Sequence, residues 1–231
     1  MAFWGSGTCH RILERSYVVA GQVMPLCCRC TGIHLGYFVT IALTFVRGRR
    51  RPAILPPPAI LVVLFLFLGI VGVDGANSYL ALFPNMPNLY EPHHTLRVLT
   101  GSLEGIALAS FFLPILHMTL WQKPAQEHSI PSWGELGILL LAVILVDLLV
   151  LWHPRFLFYP LSLLSLAGLF LSLGMVNTLL VAVIARRANR VTSWKQAITL
   201  FLWGCLLAML EMAAMAWIRY TVVGSYDFSL G

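Results

Sequence analysis

Residues 133–152 read WGELGILLLAVILVDLLVLW. The run carries charge only at Glu135 and Asp147 and has tryptophan at both ends. About 20 mostly apolar residues are what an α-helix needs to cross the hydrocarbon core of a bilayer, and tryptophan favours its interfaces. This stretch therefore reads as a membrane-spanning helix, and the same pattern recurs along the chain. Apolar segments run from about Gly32 to Val46, with part of 25–31 recruited, and from Ala59 to Val73. Others run from Leu96 to Trp121, with Pro114 as the expected kink, from Phe156 to Ala185, and from Trp194 to Tyr220. The fold class is thus all-α, a polytopic transmembrane bundle of about six spanning helices. Its expected divisions are an N-terminal Cys/His segment at 1–31, the bundle at 32–220 and a tail at 221–231.

Composition agrees. Of 231 residues, 59% are hydrophobic and 10% charged, with a mean hydropathy of +0.84. Soluble domains carry roughly 25% charged residues, and a chain this apolar could not cover its surface for water. The net charge of +6 is therefore no nucleic-acid signature. The basic residues sit in short runs between spans, as topology determinants do. Arg47, Arg49, Arg50 and Arg51 fall in the first loop, Lys123 in the third, and Arg186, Arg187, Arg190 and Lys195 in or beside the fifth. Odd-numbered loops are read as cytoplasmic and both termini as extracytoplasmic, in what is expected to be a prokaryotic cytoplasmic membrane. Arg11, Arg15 and Arg29 oppose this orientation. No cleavable signal peptide is expected, because residues 1–24 lack a clean apolar core.

Four of the five cysteines lie in the first 30 residues, which points to one local site. Cys27 and Cys30 form a C-x-x-C pair, a spacing that lets two thiolates reach one ion from a tight turn. Cys9 and His10 complete a candidate ligand set of Cys9, His10, Cys27 and Cys30, suited to zinc and, as second choice, iron. A disulfide or redox thiol pair, and plain apolar packing, stay open beside it. Thr31 after the second cysteine excludes c-type haem attachment. Cys205, alone in an apolar helix, reads as packing.

Cys9-His10-Arg11, Glu14-Arg15-Ser16-Tyr17, Gly21-Gln22 and Pro25-Leu26-Cys27-Cys28-Arg29-Cys30-Thr31-Gly32 carry a resemblance, joined by Asp74-Gly75 and Arg97-Val98-Leu99-Thr100-Gly101. Together they resemble the domain of unknown function 2085 family of bacterial and archaeal membrane proteins, over roughly the first 105 residues. Cys28 departs from the small residue usual at its position. The resemblance implies a membrane protein with a shared site and assigns no reaction.

Charges at membrane depth each need a reason, because one near the bilayer centre costs about 2.5–3.5 kcal/mol on insertion scales. Asp74, Asn77, Arg97 and Glu104 form a candidate polar site, with Asp147 and Glu211 expected toward the same outer side as the cysteines. Asp74 and Arg97 flank one loop and are expected to pair. Glu91-Pro92-His93-His94 reads as a solvated loop or as a source of further ligands, and His34, one turn after Cys30, as a side chain packed against a polar neighbour or a spare ligand. Gly101 and Gly105 show the small-xxx-small spacing of close helix packing. His117, His128 and His153 carry no specific signal.

The chain lacks a phosphate-binding Gly-Lys-Ser/Thr loop, H-E-x-x-H and G-x-S-x-G. The favoured expectation is a membrane protein with a metal clamp over the outer ends of helices one to three. Beside it would lie a polar cavity for a small polar or lipid substrate. The alternatives are a membrane-embedded thiol-disulfide or metal-assisted enzyme, and a structural subunit of a membrane complex. The expected partners are the lipid bilayer, that substrate and other membrane-complex subunits, with no nucleic acid.

Overall fold

Backbone N–H and C=O groups find no water in hydrocarbon, so a chain crossing lipid must satisfy them within helices or a closed barrel. The computed structural model describes residues 1–19, 21–83, 87–152 and 154–227; His153 and the end of the tail lie outside the described residues. A short helix, α1 (Ala2–Ser6), precedes six helices long and apolar enough to span: α2 (Cys28–Val46), α3 (Pro58–Leu80), α4 (His94–Leu120), α5 (Trp133–Trp152), α6 (Phe158–Ile184) and α7 (Trp194–Val223). The expected all-α bundle of six spans is what the chain forms.

The boundaries differ in instructive ways. The first span begins at Cys28, with Cys27 as its N-cap, so Cys28 and Cys30 belong to the helix itself. α3 runs seven residues beyond the expected Val73. Hydropathy ends at Asp74, but Asp74, Asn77 and Ser78 are all buried with partners, and tertiary contacts carry the helix on. α4 passes through Pro114, and α6 continues to Ile184 after a 3-10 turn at Arg155–Leu157.

α4 is the most buried span, and its closest neighbour is α2. Glycine makes that approach possible. A Cβ on Gly101 would stand 2.4 Å from the Arg29 carbonyl oxygen, and one on Gly105 2.1 Å from that of Ile33. Facing them, a Cβ on Gly32 would stand 2.2 Å from the Val98 oxygen and one on Gly36 2.5 Å from that of Ser102. Small residues on both helices thus let the backbones touch. Gly105→Ala must push backbone, so it is expected to cost about 1–3 kcal/mol. Gly69→Ala on the exposed face of α3, with nothing within 4 Å, should be neutral or gain up to about 1 kcal/mol of helix propensity. Thermal unfolding of the two variants in detergent checks this; equal midpoints would contradict the packing described.

The loops gather at two ends. At one, β3 (Pro52–Ile54) pairs in parallel with β4 (Ala125–His128), and the Gln122 N–H donates to the Val191 oxygen at 3.0 Å. Arg51 stacks 4.6 Å over Trp121, whose indole N–H donates to His117 Nδ1 at 3.0 Å. Arg47 and Arg49 pair with Glu135 there. The first, third and fifth loops, which hold most of the basic residues, are therefore knit together. The N-terminal segment occupies the other end, with a short hairpin of β1 (Val18–Val19) and β2 (Gln22–Val23).

Candidate functional site

The N-terminal segment is folded down onto the bundle. Arg11 is 2% exposed and adopts a positive φ of 47°. It donates to the Pro25 and Met24 carbonyl oxygens at 2.7 and 3.2 Å and pairs with Asp227 at 2.6 Å. From α7, Arg219 donates to the Cys9 carbonyl oxygen at 2.7 Å and to that of His10. Cys9 packs with Leu26, Leu166, Leu169 and Met212. The expected position over helices one to three is corrected: the segment around Cys9 seats on the start of α2 and on α6 and α7, because Arg219 and the apolar faces of these helices hold it there. Its other flank reaches α3, where Arg15 donates to the Ser78 carbonyl oxygen at 2.8 Å.

This seating brings Cys9, Cys27 and Cys30 together, with their three sulfurs within 4.8 Å of one another. Backbone N–H groups of Arg11 and Cys27 donate to Cys9 Sγ at 3.4 and 3.3 Å, contacts that favour a thiolate. Cys27, just outside the first span, is held well below the ordinary thiol range by hydrogen bonds from Cys30 and then Cys9. Cys9 is in turn raised, chiefly by its bond to Cys27. All five cysteines are free thiols.

Three sequence candidates thus converge, and the fourth does not. His10 is exposed and stands outside the thiol group; what Arg219 fixes is its carbonyl. Cys28 faces the other way, fully buried with Tyr17, Val19, Met24, Leu35 and Val98. His34 is contacted by the Ser172 hydroxyl at 3.5 Å and is not among the clustered ligand atoms.

The sulfurs suit a metal. Two thiolates sharing one tetrahedral zinc at about 2.3 Å each stand about 3.8 Å apart. The observed group needs to tighten by no more than about 1 Å to reach that spacing. Three such ligands leave one tetrahedral position open.

The carboxylate of Asp74, 2% exposed, is bound by Arg29. Tyr90 donates to it at 2.8 Å and Thr100 at 3.2 Å. The expected Asp74–Arg97 pair is therefore corrected: Arg29 projects from the first turn of α2 and reaches the carboxylate instead. Arg29 also donates to the Ser78 hydroxyl at 3.1 Å. Asn77 secures the following loop, donating to the Tyr90 carbonyl oxygen at 2.9 Å and accepting from the Leu89 N–H at 2.7 Å. Asp74 and Asn77 are joined through Tyr90, whereas Glu104 is half-buried and belongs to none of the ion pairs among the described residues. Sequence reasoning missed Tyr90, Thr100 and Ser78 here; Arg29 stands in the cysteine motif, far along the chain from Asp74, where it reads as a charge opposing the orientation. Of the remaining acids, Asp147 accepts from Ser102 at 2.7 Å and Glu211 from Asn177 at 2.7 Å.

A family model described as a predicted membrane protein (DUF2085) matches residues 9–111, a span that holds the three thiols and the whole Arg29–Asp74 network. An uncharacterized protein of Methanothermobacter thermautotrophicus is 32% identical over 112 residues, which are 48% of this chain and 90% of that protein. One from Methanocaldococcus jannaschii is 25% identical over 115 residues, 50% of this chain and 67% of the relative. No solved structure matches. With nearly the whole of the first relative covered at that identity, and the shared region carrying both polar clusters, this chain belongs to the DUF2085 family of membrane proteins.

Proposed function

We propose that this integral membrane protein holds one metal ion, zinc before iron, on Cys9, Cys27 and Cys30, next to a polar site that binds or transports a small polar or lipid substrate. The convergence of three sulfurs within 4.8 Å carries the metal reading. Thiolates select zinc and iron among common ions. The ion would tie the N-terminal segment to the first turn of α2. Because three candidate ligands converge among the described residues, the fourth position would be left for His10, reached by a local movement, or for a small molecule, as in catalytic zinc sites. The site is read as extracytoplasmic, since the loops rich in arginine gather at the far end of the bundle. The polar-site reading rests on the buried Arg29–Asp74 network and the cationic groups beside it.

Thiol-disulfide exchange is the second reading, favoured by the depressed Cys27 thiol beside Cys30. Metal analysis and thiol titration of the purified protein decide between them. About one zinc or iron per chain, with Cys9, Cys27 and Cys30 shielded from alkylation until a chelator is added, is the expected result. A metal-free protein whose Cys27 and Cys30 cycle reversibly between thiol and disulfide would replace the metal reading with the redox one. A role as a bracing subunit would show as stable copurification with other membrane proteins.

A further inference from the structure

At the thiol-bearing end of the bundle, the N-terminal segment, the end of α3 and the start of α4 border an open cleft of about 370 Å³. Glu14, Arg15, Pro92, His93, His94 and Arg97 are among the residues that line it. Arg97 is 6% exposed; among the described residues it belongs to none of the ion pairs and its Nε has no hydrogen-bond partner. His94 Nδ1 is likewise buried without one, while its ring is fixed edge-on against Tyr17, 5.4 Å between centroids. The neighbouring carboxylate of Asp74 is already bound by Arg29. Arg15 spends a donor on a neutral carbonyl oxygen, that of Ser78. Burial, then Arg97 and Arg29, lower its pKa, so the cations crowd one another. The N-terminus of α4 opens at the same place, with His93 as an N-cap whose side chain makes no cap bond.

Sequestering a guanidinium outside any direct ion pair is costly. Two positive side chains, an imidazole and a helix N-terminus outnumber the single Glu14 carboxylate around this cleft and ask for a ligand with several acceptor oxygens. A phosphate group provides them, accepts the forked donors of arginine, and is favoured by the helix dipole. The cleft also lies at the end of the spans, the depth at which basic pockets meet lipid headgroups.

We propose that this cleft binds a phosphate group, free or carried on a lipid headgroup, through Arg97 and Arg15, with His94 as a further donor. The proposal rests on the polar-site reading above and not on the metal.

The test uses the purified full chain in detergent. Binding and thermal midpoint are followed with inorganic phosphate against chloride at equal ionic strength, and with dihexanoyl phosphatidylglycerol against dihexanoylglycerol, which lacks the phosphate. Saturable binding of phosphate alone identifies a free anion; preference for phosphatidylglycerol identifies a headgroup. In either case Arg97→Gln should weaken binding at least about tenfold, while without ligand it should be at least as stable as wild type, because an unpaired buried charge is gone. Arg15→Gln gives the same reading should Arg97→Gln misfold. No response to phosphate or phosphatidylglycerol beyond the controls overturns the proposal. Binding unchanged in both variants does so as well. Equal saturable binding of both lipids, lost in Arg97→Gln, overturns the phosphate assignment while leaving a ligand site. Metal content on the same samples reports on the thiol site separately.

Discussion

Serine at Cys9, Cys27 or Cys30 is expected to take bound metal from about one ion per chain to almost none, the largest change any single substitution should produce here. Each removes one of three clustered sulfurs, and a hydroxyl is a poor substitute for a thiolate toward zinc or iron. The consequence for stability should be local. Structural zinc contributes an apparent ~10–16 kcal/mol to small finger peptides that have little else to hold them. Here the spans have their own packing, and Arg11 and Arg219 still bind the N-terminal segment. The expected signature is therefore faster proteolysis within 1–27, with the thermal midpoint of the bundle lowered less. Cys28→Ser and Cys205→Ser should keep full metal, since neither sulfur joins the group. His10→Ala should keep it too if the exposed histidine stays where it is, and loss of metal there would restore it as the fourth ligand. Undiminished metal in both Cys9→Ser and Cys30→Ser, measured by elemental analysis, would remove the assignment.

How far the sequence could be read depended on the range of the interactions. Spans are written locally, because lipid tolerates only long apolar helices, and the ends of the fourth fall on Trp133 and Trp152 as read. The closeness of the C-x-x-C thiols was equally legible, since two residues three apart share one turn. Pairings across the bundle were not. Asp74 and Arg97 stand on either side of one loop, which made them the economical pair, yet α2, drawn close through Gly32, Gly36, Gly101 and Gly105, and α3, which carries Asp74, both pack against α4. That closeness puts Arg29, 45 residues away from Asp74, within reach. Gly101 and Gly105 were visible as a motif, but spacing within one helix does not name the partner helix. The overextension of α3 past Val73 has the same origin: its last turns are held by Tyr90 and Arg29, which a window of hydropathy does not see. His10 illustrates the converse. Adjacency to Cys9 made it an obvious ligand, but the chain turns at Arg11, whose φ is positive, and His10 faces outward.

Asp74→Ala should be the most damaging substitution in the polar network, destabilising the protein by about 3–5 kcal/mol, the usual cost of leaving a buried ionic partner alone. Arg29, Tyr90 and Thr100 all converge on this one carboxylate, so its loss strands a guanidinium and frees the loop that Tyr90 ties down. If the pair is mainly structural, Arg29→Met combined with Asp74→Leu should recover much of the loss, because an apolar pair of similar volume avoids the desolvation that the charges suffer. Equilibrium unfolding of the single and double variants gives that coupling directly. A second readout connects the network to the thiols. Arg29 lies between Cys28 and Cys30, and Asp74 fixes where its side chain goes, so Asp74 is a positioning residue for the first turn of α2. Groups that orient metal ligands from one layer out typically affect affinity by 10–100-fold. Asp74→Ala is therefore expected to weaken metal binding by about tenfold in chelator competition while leaving stoichiometry at saturation unchanged. Asp74→Glu, which keeps the charge, should restore part of that affinity even if its longer side chain fits poorly. A variant within about 0.5 kcal/mol of wild type, the range of ordinary surface substitutions, would mean that Arg29 does not depend on Asp74. Unaltered metal affinity in a destabilised variant would separate the ion pair from the thiol site.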